Sequence, residues 1–150
     1  MRGMFRNAVM GIGAGAALLA LTAAALAQKA PSAMLQEMLV KVSLLTFNDA
    51  NLTGNYSVFH ARLSKPFRDQ YPPEKLAEGF KGFRDQKVDL DLIAVKQPIP
   101  AQEAKVDDRG VLTLKGYFDT QPSRVNYDLA FIMSDGDWKL IRINVNLRDP

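Results

Sequence analysis

From Ala33 to about Ala50 the apolar residues Leu35, Met38, Leu39, Val42 and Leu45 recur every three or four positions. That period predicts a helix with one buried stripe. Ser32, just after Pro31, is a suitable N-cap. Asn48, Asn51 and Gly54 mark the end of the helix and a turn. A second helix is expected from Asn55 to about Lys65, with Tyr56, Phe59, His60 and Leu63 on one face and Pro66 stopping or bending it. Pro72, Pro73 and Glu74 open a third, carrying the stripe Leu76, Phe80, Phe83 and closing near Gln86.

After Lys87 the period changes to two. Val88, Leu90, Leu92 and Ala94 alternate with Asp89, Asp91, Ile93 and Val95, which predicts a strand stopped by Pro98 and Pro100. Glu103 to Val106 is a short strand candidate, and Asp107-Asp108-Arg109-Gly110 is a turn. Strands are then expected over Val111 to Asp119, Arg124 to Met133 and Trp138 to Leu147. Thr120-Gln121-Pro122-Ser123 and Ser134-Asp135-Gly136-Asp137 reverse the chain between them. Turns this short force antiparallel neighbours. The expected class is α+β, with N-terminal helices packed on a strongly twisted antiparallel sheet of four to five strands.

The first 27 residues do not fit that domain. Arg2 and Arg6 give a positive start, an uncharged run extends from Ala8 to Leu26, and Ala25-Leu26-Ala27 ends it with small residues. This is the layout of a cleavable Sec-type signal peptide, with the cut after Ala27 and a periplasmic or secreted product. The alternative is an uncleaved anchor, since about 20 residues can span a bilayer. Residues 28–32 read as a tether and 33–150 as one domain. Without cysteine the chain has no disulfide, thiolate metal site or lipidated N-terminal cysteine. The formal charge of +3 includes Arg2 and Arg6, so seventeen Lys/Arg face sixteen Asp/Glu after cleavage. Charges of alternating sign suggest neither a nucleic-acid surface nor, after cleavage, a membrane surface.

The order of helices and strands, with the ending Asp135-Gly136-Asp137-Trp138-Lys139-Leu140, resembles the nuclear-transport-factor-2-like cone, the cystatin-like roll shared by ketosteroid isomerase and scytalone dehydratase. The segments Phe47-Asn48-Asp49-Ala50-Asn51 and Gly116-Tyr117-Phe118-Asp119-Thr120-Gln121-Pro122 are similar to those of exported proteobacterial proteins with no assigned activity. The resemblance implies a cone able to enclose a space. It transfers no catalytic residues, because neither the isomerase's Tyr and Asp set nor the dehydratase's local His motif is matched here. Fold alone does not confer function.

Candidate chemistry is sparse. His60 is the only histidine, so a His-rich metal site is excluded. It is a general-base candidate if a pocket carboxylate such as Asp119 or Asp128 stands beside it, and otherwise a core-edge histidine. Asp89 and Asp91 share one face of the expected strand, as a carboxylate pair or as a solvated side. Asp107, Asp108 and Gly110 resemble a calcium loop only faintly, and a hairpin turn is the simpler reading. Tyr117, Asp119, Asn126, Asp128, Arg142, Asn144 and Asn146 give the sheet a polar face, either exposed or lining a cone mouth. Tyr56, Tyr117, Asn126, Tyr127, Trp138 and Arg142 are the ligand-binding candidates. No glycine-rich phosphate loop, nucleophile motif or zinc spacing occurs, and no cofactor is expected.

The pattern supports a non-enzymatic domain that binds a small apolar ligand or an envelope protein, with a homodimer through the sheet as one arrangement. The alternatives are an isomerase, dehydratase or hydrolase using His60 with a pocket aspartate, and a structural envelope component.

Overall fold

The structure, a computed structural model, describes residues 28–149. The expected signal segment and its expected cleavage point at Ala27 lie outside the described residues. Ser32 caps the first helix, α1 (Ala33–Thr53), its hydroxyl accepting from the Leu35 amide at 3.3 Å. Gly54, with φ +72°, ends it. Then come α2 (Ser57–Arg62), α3 (Lys65–Gln70), α4 (Pro73–Gly79), α5 (Lys81–Asp85) and a 3-10 turn (Asp91–Val95). The strands are β1 (Ile99–Pro100), β2 (Lys105–Val106), β3 (Leu112–Phe118), β4 (Arg124–Ser134) and β5 (Asp137–Arg148). All pairings between them are antiparallel, in the order β1-β3-β4-β5, with β2 also on β3. The expected α+β class is the observed one.

Three expected elements differ. The second helix breaks after Arg62, and Pro66 opens α3 rather than closing α2, because proline in a first turn loses no hydrogen bond. The third helix divides at Phe80 into α4 and α5. The strand expected over 88–95 is instead the 3-10 turn. Its apolar alternation is overridden by local side-chain bonding. The Asp89 carboxylate accepts from the Asp91 amide at 2.9 Å, a short-range bond that competes with extended pairing.

Asn48 completes that override. Only 1 % of its surface is exposed, and every side-chain hydrogen bond it makes reaches across 41 or more residues. Its Oδ1 accepts from the Leu90 amide at 2.9 Å. Its Nδ2 donates to Asp89 at 3.2 Å and to Asp91 at 2.9 Å. The two aspartates are therefore exposed residues of a turn and not of a strand face. They hold the turn to α1 and seat Leu90 and Ile93 in the core.

One apolar core joins helices and sheet. Phe47 is its centre, with ring centroids 5.6 Å from Phe59, 4.8 Å from Phe80 and 5.1 Å from Phe83. From the sheet come Leu112, Leu114, Phe118, Val125, Tyr127, Leu129, Phe131 and Leu140, all on one face. Gly116 sits among them because of Tyr127. A Cβ at 116 would stand 2.6 Å from the Tyr127 hydroxyl oxygen and closer still to the Ile99 carbonyl oxygen. The opposite sheet face carries Lys115, Tyr117, Asn126, Asp128, Arg142, Asn144 and Asn146 and turns to solvent. The β4–β5 hairpin turns through Asp135 (φ 53°) and Gly136 (φ 84°), the paired left-handed geometry of a tight hairpin.

Asn48→Ala leaves the buried Leu90 amide without an acceptor. Urea unfolding should show a loss of about 1–3 kcal/mol, the cost of an orphaned buried donor. An unchanged midpoint would mean that the turn holds without Asn48. Gly116→Ala should cost at least ~1–3 kcal/mol by overpacking, read in the same assay.

Candidate functional site: an apolar cleft under α1

The apolar stripe read from the sequence on α1 is only partly covered: Leu39 is buried in the core and Leu35 and Leu45 pack against it, while Met38 is exposed. The deepest residues of the helix are Val40, Leu44, Phe47, Asn48, Ala50 and Asn51, with Leu39 beside them. Leu35, Met38, Leu39 and Val42 wall a cleft of about 320 Å³. Phe59, Leu63, Phe131 and Leu140 complete its apolar lining, and Trp138 joins them from the β4–β5 hairpin. α1 is thus apolar on two faces, one fully covered by the core and one covered only in part. Met38 remains 45 % exposed there.

The polar groups of this cleft are few. Ser43 and Thr46 belong to α1, and Arg62, Asp137 and Lys139 also line it. Lys139 is engaged with Asp135 at 3.1 Å. Asp135 also receives Arg68 at 3.2 Å, and these two cations, Lys139 foremost, hold its carboxyl below the usual range. Arg62 forms no ion pair among the described residues and is the free cation of the site.

The sequence candidates fall in different places. Trp138 lines this cleft. Tyr127 lines a second one of about 180 Å³ between α1 and the sheet, near Pro100 and Leu114. Arg142 lines a third, beside β5. Tyr117 and Asn126 are cross-strand partners on the outer face, with the Arg124 guanidinium 4.1 Å above the Tyr117 ring. Tyr56 is buried, its hydroxyl donating to Asn51 and accepting from Arg84 at 3.0 Å. Burial raises its pKa, and the Arg84 bond offsets part of the rise.

His60 is not joined to a carboxylate. Its Nε2 lies 3.2 Å from the Arg68 carbonyl oxygen, so it sits where α2 meets α3. Asp128 accepts from Arg142 at 2.7 Å on the outer sheet face, and Asp119 is exposed at the end of β3. No hydrogen bond or ion pair links His60 to either. Asp107 bonds the Val111 amide, which with the Arg109 amide draws its pKa down within the expected turn. Among the described residues no group of three or more His, Cys, Asp or Glu is placed to hold a metal ion.

Sequence reasoning passed over Arg62, and it read Met38 and Val42 as core. The available signal was the mismatch between two apolar registers on one helix: Leu35, Met38, Leu39, Val42 and, offset from it, Val40, Leu44, Phe47.

The buried phenol of Tyr127 gives a pH test of the second cleft. Burial pushes its pKa up to about 12, from 10.0. The folded chain then keeps a proton that the unfolded chain loses, so stability is intact below about pH 10 and falls as pH rises towards 12. Tyr127→Phe should flatten that decline, measured as unfolding free energy against pH. Parallel slopes for the two proteins would contradict the burial.

No family model, curated protein or solved structure matches the chain.

Proposed function

We propose that the protein is an exported, non-enzymatic binding domain that holds a small apolar molecule with an anionic end, of the medium-chain carboxylate type, in the α1 cleft. The observation that carries this is a cleft of about 320 Å³ walled by Leu35, Met38, Leu39, Val42 and Trp138, in which Met38 stays 45 % exposed. That volume falls in the lower part of the range for small-molecule sites, which are mostly apolar with a few polar groups. An apolar stripe at helical spacing normally needs cover, and a bound chain would supply it. Met38 adds a pliable wall suited to an alkyl chain. Arg62 gives the carboxylate a partner.

The long first helix, short helices and antiparallel strands ending in Asp137-Trp138 support a nuclear-transport-factor-2-like cone. In this reading the aromatic cluster around Phe47 fills the interior, and the ligand lies in the open cleft. Export rests on Arg2, Arg6, the Ala8–Leu26 run and the Ala25-Leu26-Ala27 ending. Among the described residues no helix is long and apolar enough to cross a membrane. N-terminal sequencing of the protein recovered outside the cytoplasm should begin at Gln28. Recovery of Met1 would refute cleavage.

Dodecanoate is a suitable probe, by equilibrium dialysis. Val42→Phe occupies the cleft from a half-buried position and should abolish binding. Arg62→Glu should weaken it about tenfold, or ~1.4 kcal/mol, while decanol binding stays unchanged. Wild-type affinity in Val42→Phe would place the ligand elsewhere.

A further inference from the structure

The sheet ends at β5, whose outer edge has no neighbouring strand. At one point the chain itself begins to supply one. Leu63 forms a parallel bridge with Leu140, and the Ser64 amide donates to the Leu140 carbonyl at 2.9 Å. The chain then turns away into α3. Among the described residues no other backbone bond reaches that edge from outside the sheet. From Ile141 to Arg148 the edge is left open over about 25 Å, taking ~3.3 Å per residue.

Beside the start of this open edge lies a cleft of about 380 Å³. Its far wall is Phe67 and Tyr71 from α3 and its C-cap, packed edge to face at 5.3 Å, with Leu76 and Phe80 of the following helix. Its near wall is Ile141, Arg142 and Ile143 of β5. Two cations, Lys75 and Arg142, line it, and no carboxylate does. An open strand edge with an apolar pocket alongside is the arrangement that recognises extended peptides. The backbone ladder supplies affinity and the pocket reads alternate side chains.

We propose that the β5 edge is a docking site for an extended, acidic segment of another protein, which continues the strand that Leu63 begins and places an apolar side chain against Phe67 and Tyr71. The charges select the occupant. Lys75 at the cleft and Arg148 further along, neither in an ion pair among the described residues, favour carboxylates beside the apolar anchor, whereas Arg142 is already paired with Asp128. The charges disfavour a second copy of this chain. Self-pairing through β5 would bring Lys139, Arg142 and Arg148 against a strand with no acidic residue between Trp138 and Arg148, and like charges across a ladder repel. The site is separate from the α1 cleft and does not depend on its ligand.

The probe is a fluorescein-labelled octapeptide alternating isoleucine or phenylalanine with glutamate, titrated into the protein by fluorescence polarisation. Amide shifts are mapped by NMR. The expected result is saturable one-to-one binding with shifts along Ile141–Arg148. Affinity should fall at least tenfold when lysine replaces glutamate, and at least tenfold when alternate peptide amides are N-methylated. Tyr71→Ala should weaken binding about tenfold, and Lys75→Glu, at an exposed position, should reverse the charge preference. The proposal is overturned if neither peptide shifts the β5 amides, if the N-methylated peptide binds equally well, or if the shifts map to the α1 cleft. Dimerisation of the peptide-free protein through β5, seen by sedimentation, would also overturn it.

Discussion

α1 carries two apolar faces, and the rest of the chain covers one of them fully and the other only in part. That imbalance organises the molecule. Val40, Leu44 and Phe47 meet the sheet and the short helices, and Phe47 gathers Phe59, Phe80 and Phe83 around one ring. Burying each such aromatic is worth about 1.5–3 kcal/mol, so the orientation of α1 is fixed by this face. The other face is then left where α2 and the β4–β5 hairpin close over it only in part. The open cleft is a direct consequence of which face the aromatic cluster claims.

Polar contacts set the register of this packing. Asn48 lies on the buried side of α1, where an uncompensated amide would be costly, and it is satisfied by the Leu90 amide, Asp89 and Asp91. The same bonds turn what reads as a strand into a 3-10 turn. On the far side, Arg68 donates to the Leu63 carbonyl at 2.6 Å and pairs with Asp135, so α3 is fastened to the hairpin tip. With Ser64 on Leu140, these contacts bring α3 beside β5 without covering its edge.

The α+β class and the three long strands were legible because their signals are local and strong. Tyr127, Leu129 and Phe131 alternate, and Asp135-Gly136 allows few turns but the one observed. The 88–95 segment was not legible, because the partner that reshapes it, Asn48, lies 41 residues away. The cleft was half legible. Trp138 was singled out, yet Met38 and Val42 were assigned to the core, since periodicity gives a helix's apolar face but not what stands opposite it. Arg62 gave no signal in isolation. Its place in the lining of the cleft, with no ion pair among the described residues, is a property of the assembled fold. The Phe67–Tyr71 pair was hidden by the assumption that Pro66 stops or bends a helix rather than starting one.

The central claim is that the open face of α1 is a ligand site. Trp138 is the only tryptophan, so its indole N–H gives a single assignable proton resonance in the lining of the cleft. The most direct test is to follow that resonance, with the Met38 methyl, while dodecanoate is added to the protein. The account predicts that both signals move together and saturate at one equivalent bound, with no change at the outer-face amides of Tyr117 and Asn126. Static Trp138 and Met38 signals up to the solubility of the probe, or shifts centred on the outer sheet face, would contradict it.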